Sequence, residues 1–174
     1  VFRALIAERD QLLTRLHALW GLGQIVRTRR DVIATLDISA WLRDSDDEFR
    51  AQATRLVADG RDSSHNARLV ELLADDSLRV RFFAAEALGR LQASAGIEPL
   101  WKLLRDNNDA DRYVRHAAVV ALVRFGDEAK AASRATDADA AVRRAAVLVL
   151  RRLRDPAILV FLNDNDPTIV TEAA

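Results

Sequence analysis

The phrase Arg81-Phe-Phe-Ala-Ala-Glu-Ala-Leu-Gly89 recurs along the chain with changes at a few positions. It begins with an arginine, has a small residue at the fourth place and has leucine at the eighth. Similar stretches begin at Arg15, Arg115 and Arg143, and a weaker copy begins at Arg50. The arginines recur at intervals of roughly 28 to 35 residues, a period typical of proteins whose stacked units bury their apolar faces against each other.

The arginine-bearing segments, which we term B helices, have the periodicity of amphipathic helices. In the segment from Leu78, the apolar stripe has the 3.6-residue period of an α-helix and consists of Val80, Ala84, Ala87, Leu88 and Leu91. A second apolar run before each later B helix predicts an A helix, over residues 33–42, 67–73, 97–104, 129–135 and 157–162. The sequence therefore predicts an all-α chain of about ten helices, wound into a right-handed α-α superhelix (solenoid) of about five stacked helix pairs.

We expect residues 1–174 to form a single domain, because no linker interrupts the pattern and half of the residues are hydrophobic. Both ends have the appearance of cuts. The chain opens inside an apolar pattern and stops as a further B helix begins near Val170, and neither end has a polar capping repeat. We interpret the sequence as a segment excised from a longer protein.

Composition narrows the classes of function. The 26 basic and 26 acidic residues balance, so the chain as a whole is not drawn to nucleic acid or to an anionic membrane. There is no cysteine, which excludes thiolate catalysis and zinc–thiolate sites. No apolar stretch approaches the roughly 18 residues of a membrane span. The histidines, His17, His65 and His116, are far apart in a stacked fold, so we expect no metal site, no cofactor and no catalytic residue.

Residues 76–104 carry a resemblance to a known family. Asp76-Ser-Leu-Arg-Val-Arg-Phe-Phe-Ala-Ala-Glu-Ala-Leu-Gly-Arg-Leu91, followed by Gly96-Ile-Glu-Pro-Leu-Trp-Lys-Leu-Leu104, resembles the HEAT repeat in the short form also found in phycobilisome-lyase-like proteins. The resemblance extends over nearly all of the chain. It implies a HEAT-repeat, armadillo-like solenoid.

In that family, an aspartate before the B helix and the arginine within it form a ladder between repeats. The resemblance implies this structural role for five arginines, namely Arg15, Arg50, Arg81, Arg115 and Arg143. It pairs Asp10 with Arg15 and Asp76 with Arg81. Other units offer displaced acids, namely Asp46, Asp111 and Asp139, and in the last unit Thr171 stands where the arginine would pair with Asp166.

A narrower similarity concerns the phrases at residues 15–23, 80–85, 112–119 and 165–174. They are similar to the HEAT region of large planctomycete-type membrane-bound dehydrogenases, which join a sorbosone-dehydrogenase-like propeller, helical repeats and a cytochrome c segment. That resemblance implies a spacer within a multidomain redox enzyme, carrying neither the redox site nor the haem, in an extracytoplasmic location. The rest of the sequence does not specify a compartment.

The side of the B helices that points away from the A helices is unusually apolar for a solvated surface. Its positions lie one, five and eight residues after each anchor arginine, and in a HEAT solenoid they line the concave face. Exposed apolar area of this kind usually marks an interface. The predicted partner-binding residues are Leu16, Trp20, Phe82, His116, Val120 and Leu148.

Two classes of function stay open. We favour a non-catalytic scaffold or interaction module that docks a protein partner, or a flanking domain of the same chain, on its concave face. The alternative is a nucleic-acid-binding HEAT-like module, which the neutral net charge and the apolar face oppose. A lyase acting on a bilin would rest on the family label alone, since no paired acid–base group supports it.

Overall fold

The computed structural model describes residues 1–8 and 11–174, and this part of the chain is α-helical with no strand. The α-helices are α1 Phe2–Ala7, α2 Leu12–Thr28, α3 Ile38–Trp41, α4 Asp47–Gly60, α5 Asn66–Leu72, α6 Leu78–Leu91, α7 Ile97–Asn107, α8 Arg112–Phe125, α9 Glu128–Ser133, α10 Ala140–Leu153 and α11 Pro167–Ala173. Short 3-10 helices complete the connections, at Arg30–Thr35, Ser63–His65, Ser94–Gly96, Arg134–Thr136 and Pro156–Asn163. The predicted all-α class is confirmed.

The helices form two layers. The B helices are α2, α4, α6, α8, α10 and the short α11, and each packs directly against the B helix before it and the one after it. The A elements lie on one side of this layer, so that α1 packs on α2, α5 on α6, α7 on α8 and α9 on α10. Each unit therefore buries its apolar stripe between its own A element and the neighbouring units, as in a solenoid.

Two of the predicted A helices are less regular than the sequence indicated. Residues 33–42 divide into the 3-10 helix Arg30–Thr35 and the four-residue α3, because Asp37 begins a new helix by accepting a hydrogen bond from the Ala40 N–H at 3.2 Å. Residues 157–162 lie within the 3-10 helix Pro156–Asn163. The A layer is therefore irregular before α4 and before α11. All five predicted B helices are present.

Aspartates fix where most B helices begin. The side chains of Asp46, Asp111, Asp139 and Asp166 each accept backbone N–H groups of the following turn, at 2.8 to 3.3 Å. A carboxylate here satisfies N–H groups that have no partner within the helix and complements the helix dipole. Asp46, Asp111 and Asp139 are thus helix caps, and the expectation that they act as displaced ladder acids is wrong.

Two B helices, α6 and α8, approach each other closely at Gly89. A Cβ atom built on Gly89 would lie 2.6 Å from the Ala121 Cα and 2.8 Å from its Cβ. Ala84, Ala85, Ala118 and Ala121 are fully buried in the same junction. Small residues at these places allow the two helix backbones to pack directly against each other, without long side chains between them.

Three of the anchor arginines pair with aspartates that the sequence analysis did not single out, and these pairs form a ladder between units. Arg50 donates to both carboxylate oxygens of Asp75, at 3.1 and 2.8 Å, and Arg143 does the same to Asp164, at 2.7 and 3.0 Å. Arg15 pairs with Asp44 in the same way. In each of these rungs the acid belongs to the following unit, two residues before the N-cap of its B helix.

Each ladder acid also organises its own turn. Asp44, Asp75 and Asp164 accept the backbone N–H of the residue two places later, at 2.8 to 3.0 Å. The hydrogen bonds from Arg143 hold the pKa of Asp164 below its ordinary value. Burial works to raise the pKa of Asp75, but the hydrogen bonds from Arg50 and the Ser77 N–H outweigh it and the pKa is lowered. The lowered pKa values favour the charged carboxylate in the rungs of Asp75 and Asp164.

The ladder is interrupted in the middle of the molecule. Among the described residues, Arg81 donates to the backbone carbonyl of Asp75 alone, and Asp76, its predicted partner, is an exposed residue outside the ladder. Arg115 pairs at 2.9 Å with Asp109 of its own unit, not with an acid of the next one. The turn before α8 has a different backbone conformation, because Asn108 and Asp109 both adopt positive φ.

Two further ladder predictions have different outcomes. Thr171 does not pair with Asp166, because its hydroxyl donates to the Pro167 carbonyl at 2.8 Å, within its own helix. Asp10 lies outside the described residues. Among the described residues, Arg15, the predicted partner of Asp10, donates to Asp44 and to the Ile6 carbonyl, the latter at 3.0 Å.

Candidate interaction surface

The B helices present one solvent-accessible side, opposite the A elements. On α8 this side shows the helical spacing clearly, since the residues not fully buried recur at every fourth position from Arg112 through His116 and Val120 to Arg124. We call the surface the B-helix face. It comprises a central row of Trp20, Arg55, Glu86, Val120 and Leu148, an upper row one turn earlier of Phe82, His116 and Arg144, and a lower row one turn later of Gln24, Asp59, Arg90, Arg124 and Arg152.

Five of the six predicted partner-binding residues have accessible surface on this face. Trp20 is 44% exposed and His116 is also exposed. Phe82, Val120 and Leu148 are half-buried, and Phe82 and Leu148 rest partly on the core. Val120 is thus the aliphatic residue of the central row that is accessible without being packed against the core. Whether these residues bind a partner stays a prediction.

Leu16 does not belong to the accessible surface, and this placement is a correction. Its side chain is only 5% exposed and forms part of the core, like Ala51 at the equivalent position of α4. The reason is the packing of the B helices, because α2 and α4 approach each other along this row and cover both residues. The row becomes accessible only from Phe82 onward.

At the N-terminal end of the face, Trp20 is held in place by a chain of hydrogen bonds. Its Nε1 donates to the Gln52 Oε1 at 3.1 Å, and the Gln52 Nε2 donates to the Glu48 Oε1 at 2.7 Å. The His17 ring packs edge-on against the indole, with 5.2 Å between ring centroids. A small pocket lies beside this arrangement, lined by Trp20, Gly23, Gln52, Arg55 and Asp59 among others. The indole is therefore an exposed but fixed aromatic surface.

A second cleft was not predicted from the sequence. It lies at the N-terminal ends of α6 and α8 and is lined by Leu78, Arg79, Phe82, Phe83, Asp111 and Tyr113. Tyr113 is 60% exposed, and Phe82 and Phe83 pack edge-to-face at 5.2 Å. A sequence feature that could have indicated this cleft is the position of Tyr113, two residues after the helix cap Asp111. Arg79 holds the equivalent position in α6.

The charges on the face are distributed unevenly. In the N-terminal half, acids and arginines pair, since Arg27 and Arg90 both contact Asp59, at 3.0 and 2.8 Å, and Arg79 contacts Glu48. In the C-terminal half, Arg151 contacts Glu172, and Arg144 contacts Asp109 at 2.7 Å and Asp166 at 3.3 Å. Arg55, Arg112, Arg124 and Arg152 are exposed and have no carboxylate partner in the described part of the chain.

Residues 1–8 and 11–174 hold no group of three or more His, Asp or Glu side chains placed to bind a metal ion. Within the same residues, none of the helices combines the length and the apolar character that crossing a membrane requires. The B-helix face, with its two clefts and its unpaired arginines, is therefore the candidate functional surface of the described chain.

The fold and this surface define the class of protein: an all-α repeat solenoid in which one layer of helices presents an accessible, partly apolar face. A family model for HEAT repeats matches residues 35–123, which is more than half of the chain. The chain belongs to the HEAT repeat family.

A solved structure gives independent support for the fold. The chain is similar to a designed armadillo repeat protein in complex with the peptide (KR)4, with a TM-score of 0.55 and 20% sequence identity, over 99% of this chain and 95% of that one. At that identity the likeness concerns the fold alone. A search among curated proteins finds no significant match. None of these comparisons supports the dehydrogenase resemblance.

Proposed function

We propose that this protein is a non-catalytic interaction module that docks a protein segment on its B-helix face. The observation that carries the proposal is the set of accessible aromatic and aliphatic side chains on the B-helix face, namely Trp20 on α2, Phe82 on α6, Val120 on α8 and Leu148 on α10. Aromatic anchors at the centre of a surface usually dominate binding energy in protein interfaces. HEAT and armadillo scaffolds are typically non-enzymatic, which agrees with this role.

The occupant is a separate protein or a flanking domain of the same chain, as in a spacer of a multidomain enzyme. The designed armadillo repeat protein with its (KR)4 peptide supports a peptide-like occupant for a solenoid of this shape. A nucleic-acid-binding role is the alternative. The zero formal net charge and the apolar residues in the central row weigh against it, because phosphate binding relies on dense positive charge.

The proposal is tested by selecting a displayed random-peptide library against the purified protein and measuring the affinity of the selected peptides. The double variant Trp20→Ala/Val120→Asp removes the fixed aromatic surface and places a charge in the central row. We expect it to retain the helical circular dichroism of the parent and to bind the selected peptides at least about tenfold more weakly. Phe82 is left unchanged because it packs against the core.

The A side offers a matched control. Leu159 and Val160 are 59% and 53% exposed on the 3-10 helix Pro156–Asn163. The variant Leu159→Ala/Val160→Asp makes a comparable change away from the B-helix face, and we expect it to bind like the parent. If the control variant loses binding while the Trp20/Val120 variant keeps it, the working surface lies on the A side and the proposal is wrong.

A further inference from the structure

The arginines without carboxylate partners cluster on the C-terminal half of the B-helix face. On α8 and α10, equivalent positions pair His116 with Arg144, Val120 with Leu148, and Arg124 with Arg152. The two helices pack directly against each other, so equivalent residues lie about 8 to 10 Å apart. We call these six residues the α8–α10 patch. Its centre is apolar, and its lower edge carries two adjacent arginines.

The lower edge differs in its charge balance from the rest of the row. In the preceding units Asp59 contacts both Arg27 and Arg90, and the Glu86 carboxylate is also near Arg90, at 3.9 Å. In the part of the chain that the structure describes, no acid takes that place for Arg124 or Arg152. Arg152 makes one long hydrogen bond, to the Leu148 carbonyl at 3.5 Å, and Arg124 has no side-chain partner among the residues that the structure describes.

The upper edge of the patch shows the contrast. Arg144 is occupied, because it contacts Asp109, Asp166 and the Thr168 hydroxyl. Arg112, on the same accessible side of α8, donates to the Tyr113 hydroxyl at 3.0 Å and has no carboxylate partner within residues 1–8 and 11–174. The free guanidinium groups therefore flank an apolar centre, although the formal charge of the chain is zero.

Resting on the proposed function, we propose that the α8–α10 patch binds an acidic peptide segment that also carries an apolar residue. A guanidinium presents paired N–H groups that match a carboxylate, so Arg124 and Arg152 each provide a fork for one acidic side chain. In a polyproline-type extended segment, residues three apart point the same way and lie about 9 Å apart, which matches the helix spacing. An apolar side chain between the two acids reaches Val120 and Leu148.

This chemistry favours a peptide over a nucleic acid. A phosphate backbone would satisfy the arginines, but it offers no aliphatic group to Val120 and Leu148. The proposed acidic peptide also differs from the peptide (KR)4 of the designed armadillo repeat protein, which is basic. The charge on this face therefore predicts the opposite sign of ligand for this chain.

The test uses labelled synthetic peptides in fluorescence anisotropy with the intact protein. The acidic probe has two glutamates three residues apart with leucine between them; a second probe replaces the glutamates with lysines, and a third replaces the leucine with serine. We expect the acidic probe to bind at least about tenfold more tightly than the lysine probe, and more tightly than the serine probe. In the variant Arg124→Glu/Arg152→Glu we expect the preference to reverse toward lysine.

Two exposed arginines elsewhere give the matched control. Arg30→Glu/Arg43→Glu changes the net charge by the same amount on the A side, where both residues are exposed. It should keep the parent's preference for the acidic probe. Equal effects of the two double variants would mean that net charge alone is sensed, and the inference would be wrong.

The remaining outcomes separate the two proposals. Tighter binding of a thymidine oligonucleotide than of any peptide, lost in Arg124→Glu/Arg152→Glu, would overturn both in favour of nucleic acid. If the acidic probe fails to bind but library-selected peptides still depend on Trp20 and Val120, the inference falls and the proposed function stands. If no probe or selected peptide responds to either face variant, both fall.

Discussion

At the scale of single residues, ion pairs between half-buried arginines and aspartates of the next unit connect adjacent units. Arg50 and Arg143 each engage both oxygens of a carboxylate and also donate to carbonyls of their own turn. Such a rung matters for stability chiefly when it is broken, because loss of one partner leaves a buried charge uncompensated and destabilises the folded protein.

The rungs with and without a carboxylate allow a direct comparison. Arg50→Ala strands Asp75, whereas Arg81→Ala removes a side chain that, among the described residues, donates to the Asp75 carbonyl alone. We expect Arg50→Ala to lower the free energy of unfolding by about 3 kcal/mol and Arg81→Ala by about 1 kcal/mol. Urea denaturation of both variants measures the difference, and equal losses would show that the carboxylate rung is not the stabilising element.

The ladder also predicts a dependence on pH. The pKa of Asp164 is lowered in the folded protein because Arg143 donates to its carboxylate. Stability from this rung is therefore fully present above the ordinary aspartate pKa of about 4, and it is lost as the pH falls through the lower folded value. We expect Asp164→Asn to be less stable than the parent by about 1 to 2 kcal/mol at neutral pH, with the difference shrinking in acid.

The control for this prediction is Asp76→Asn, which alters an exposed acid outside the ladder. Urea melts at several pH values should give this variant the same pH dependence as the parent. A parent and an Asp164→Asn variant whose stabilities decline in parallel toward acid would contradict the assigned role of Asp164.

At the scale of the helices, close packing between B helices decides which glycines can be replaced. Gly23 and Gly89 hold the same place in their repeats, near the C-terminal end of α2 and of α6. Around Gly89 there is no room for a methyl group, because the Ala121 backbone is in contact. Around Gly23 a Cβ would lie 3.8 Å from the Leu56 Cδ1, which is ordinary van der Waals contact.

The two glycines should therefore respond to alanine with opposite signs. Alanine is favoured over glycine inside a helix by about 1 kcal/mol, so Gly23→Ala should raise the midpoint of thermal unfolding. Gly89→Ala should lower it despite the same gain, because α6 and α8 must separate. Differential scanning calorimetry of the pair measures both shifts, and a stabilised Gly89→Ala variant would contradict the described α6–α8 contact.

The elements also show what sequence patterns can and cannot predict. The B helices were predictable because each is long and buries a full apolar stripe against three neighbours, so local periodicity and tertiary packing agree. The irregular A elements were not, because 3-10 segments such as Pro156–Asn163 follow from turns and caps, not from periodicity. The burial of Leu16 was also missed, because the distance between neighbouring helices decides which residues of the upper row are covered. Local periodicity does not predict that distance.

At the scale of the whole molecule, the units stack in sequence order, because each B helix of the described chain packs against the B helices before and after it and against its own A element. Stability in such a chain is close to a sum of unit and junction terms, and local damage stays local. Ile169, fully buried in the last unit, and Leu88, fully buried in the middle one, are suitable places to perturb that stack.

We expect Ile169→Ala to speed amide hydrogen exchange in α10 and α11 while leaving α2 and α4 protected. Leu88→Ala should speed exchange on both sides, in α4 and α8, because its helix contacts both. Each truncation removes about 2 to 3 kcal/mol of local stability. Mass-spectrometric exchange resolves the helices, and uniform acceleration along the chain in both variants would indicate a single cooperative unit instead.

The direction of the ladder has a consequence for how such a chain can grow. Every complete rung runs from the arginine of one unit to the aspartate of the next, as in Arg50 to Asp75. A tract that starts at Asp44 and stops before Asp75 therefore begins with an acceptor and supplies its own donor. Copied in tandem, it would join to itself, since the acceptor of the second copy would meet the arginine of the first. Gene duplication can therefore lengthen this molecule one unit at a time while keeping the same arginine–aspartate rung between copies.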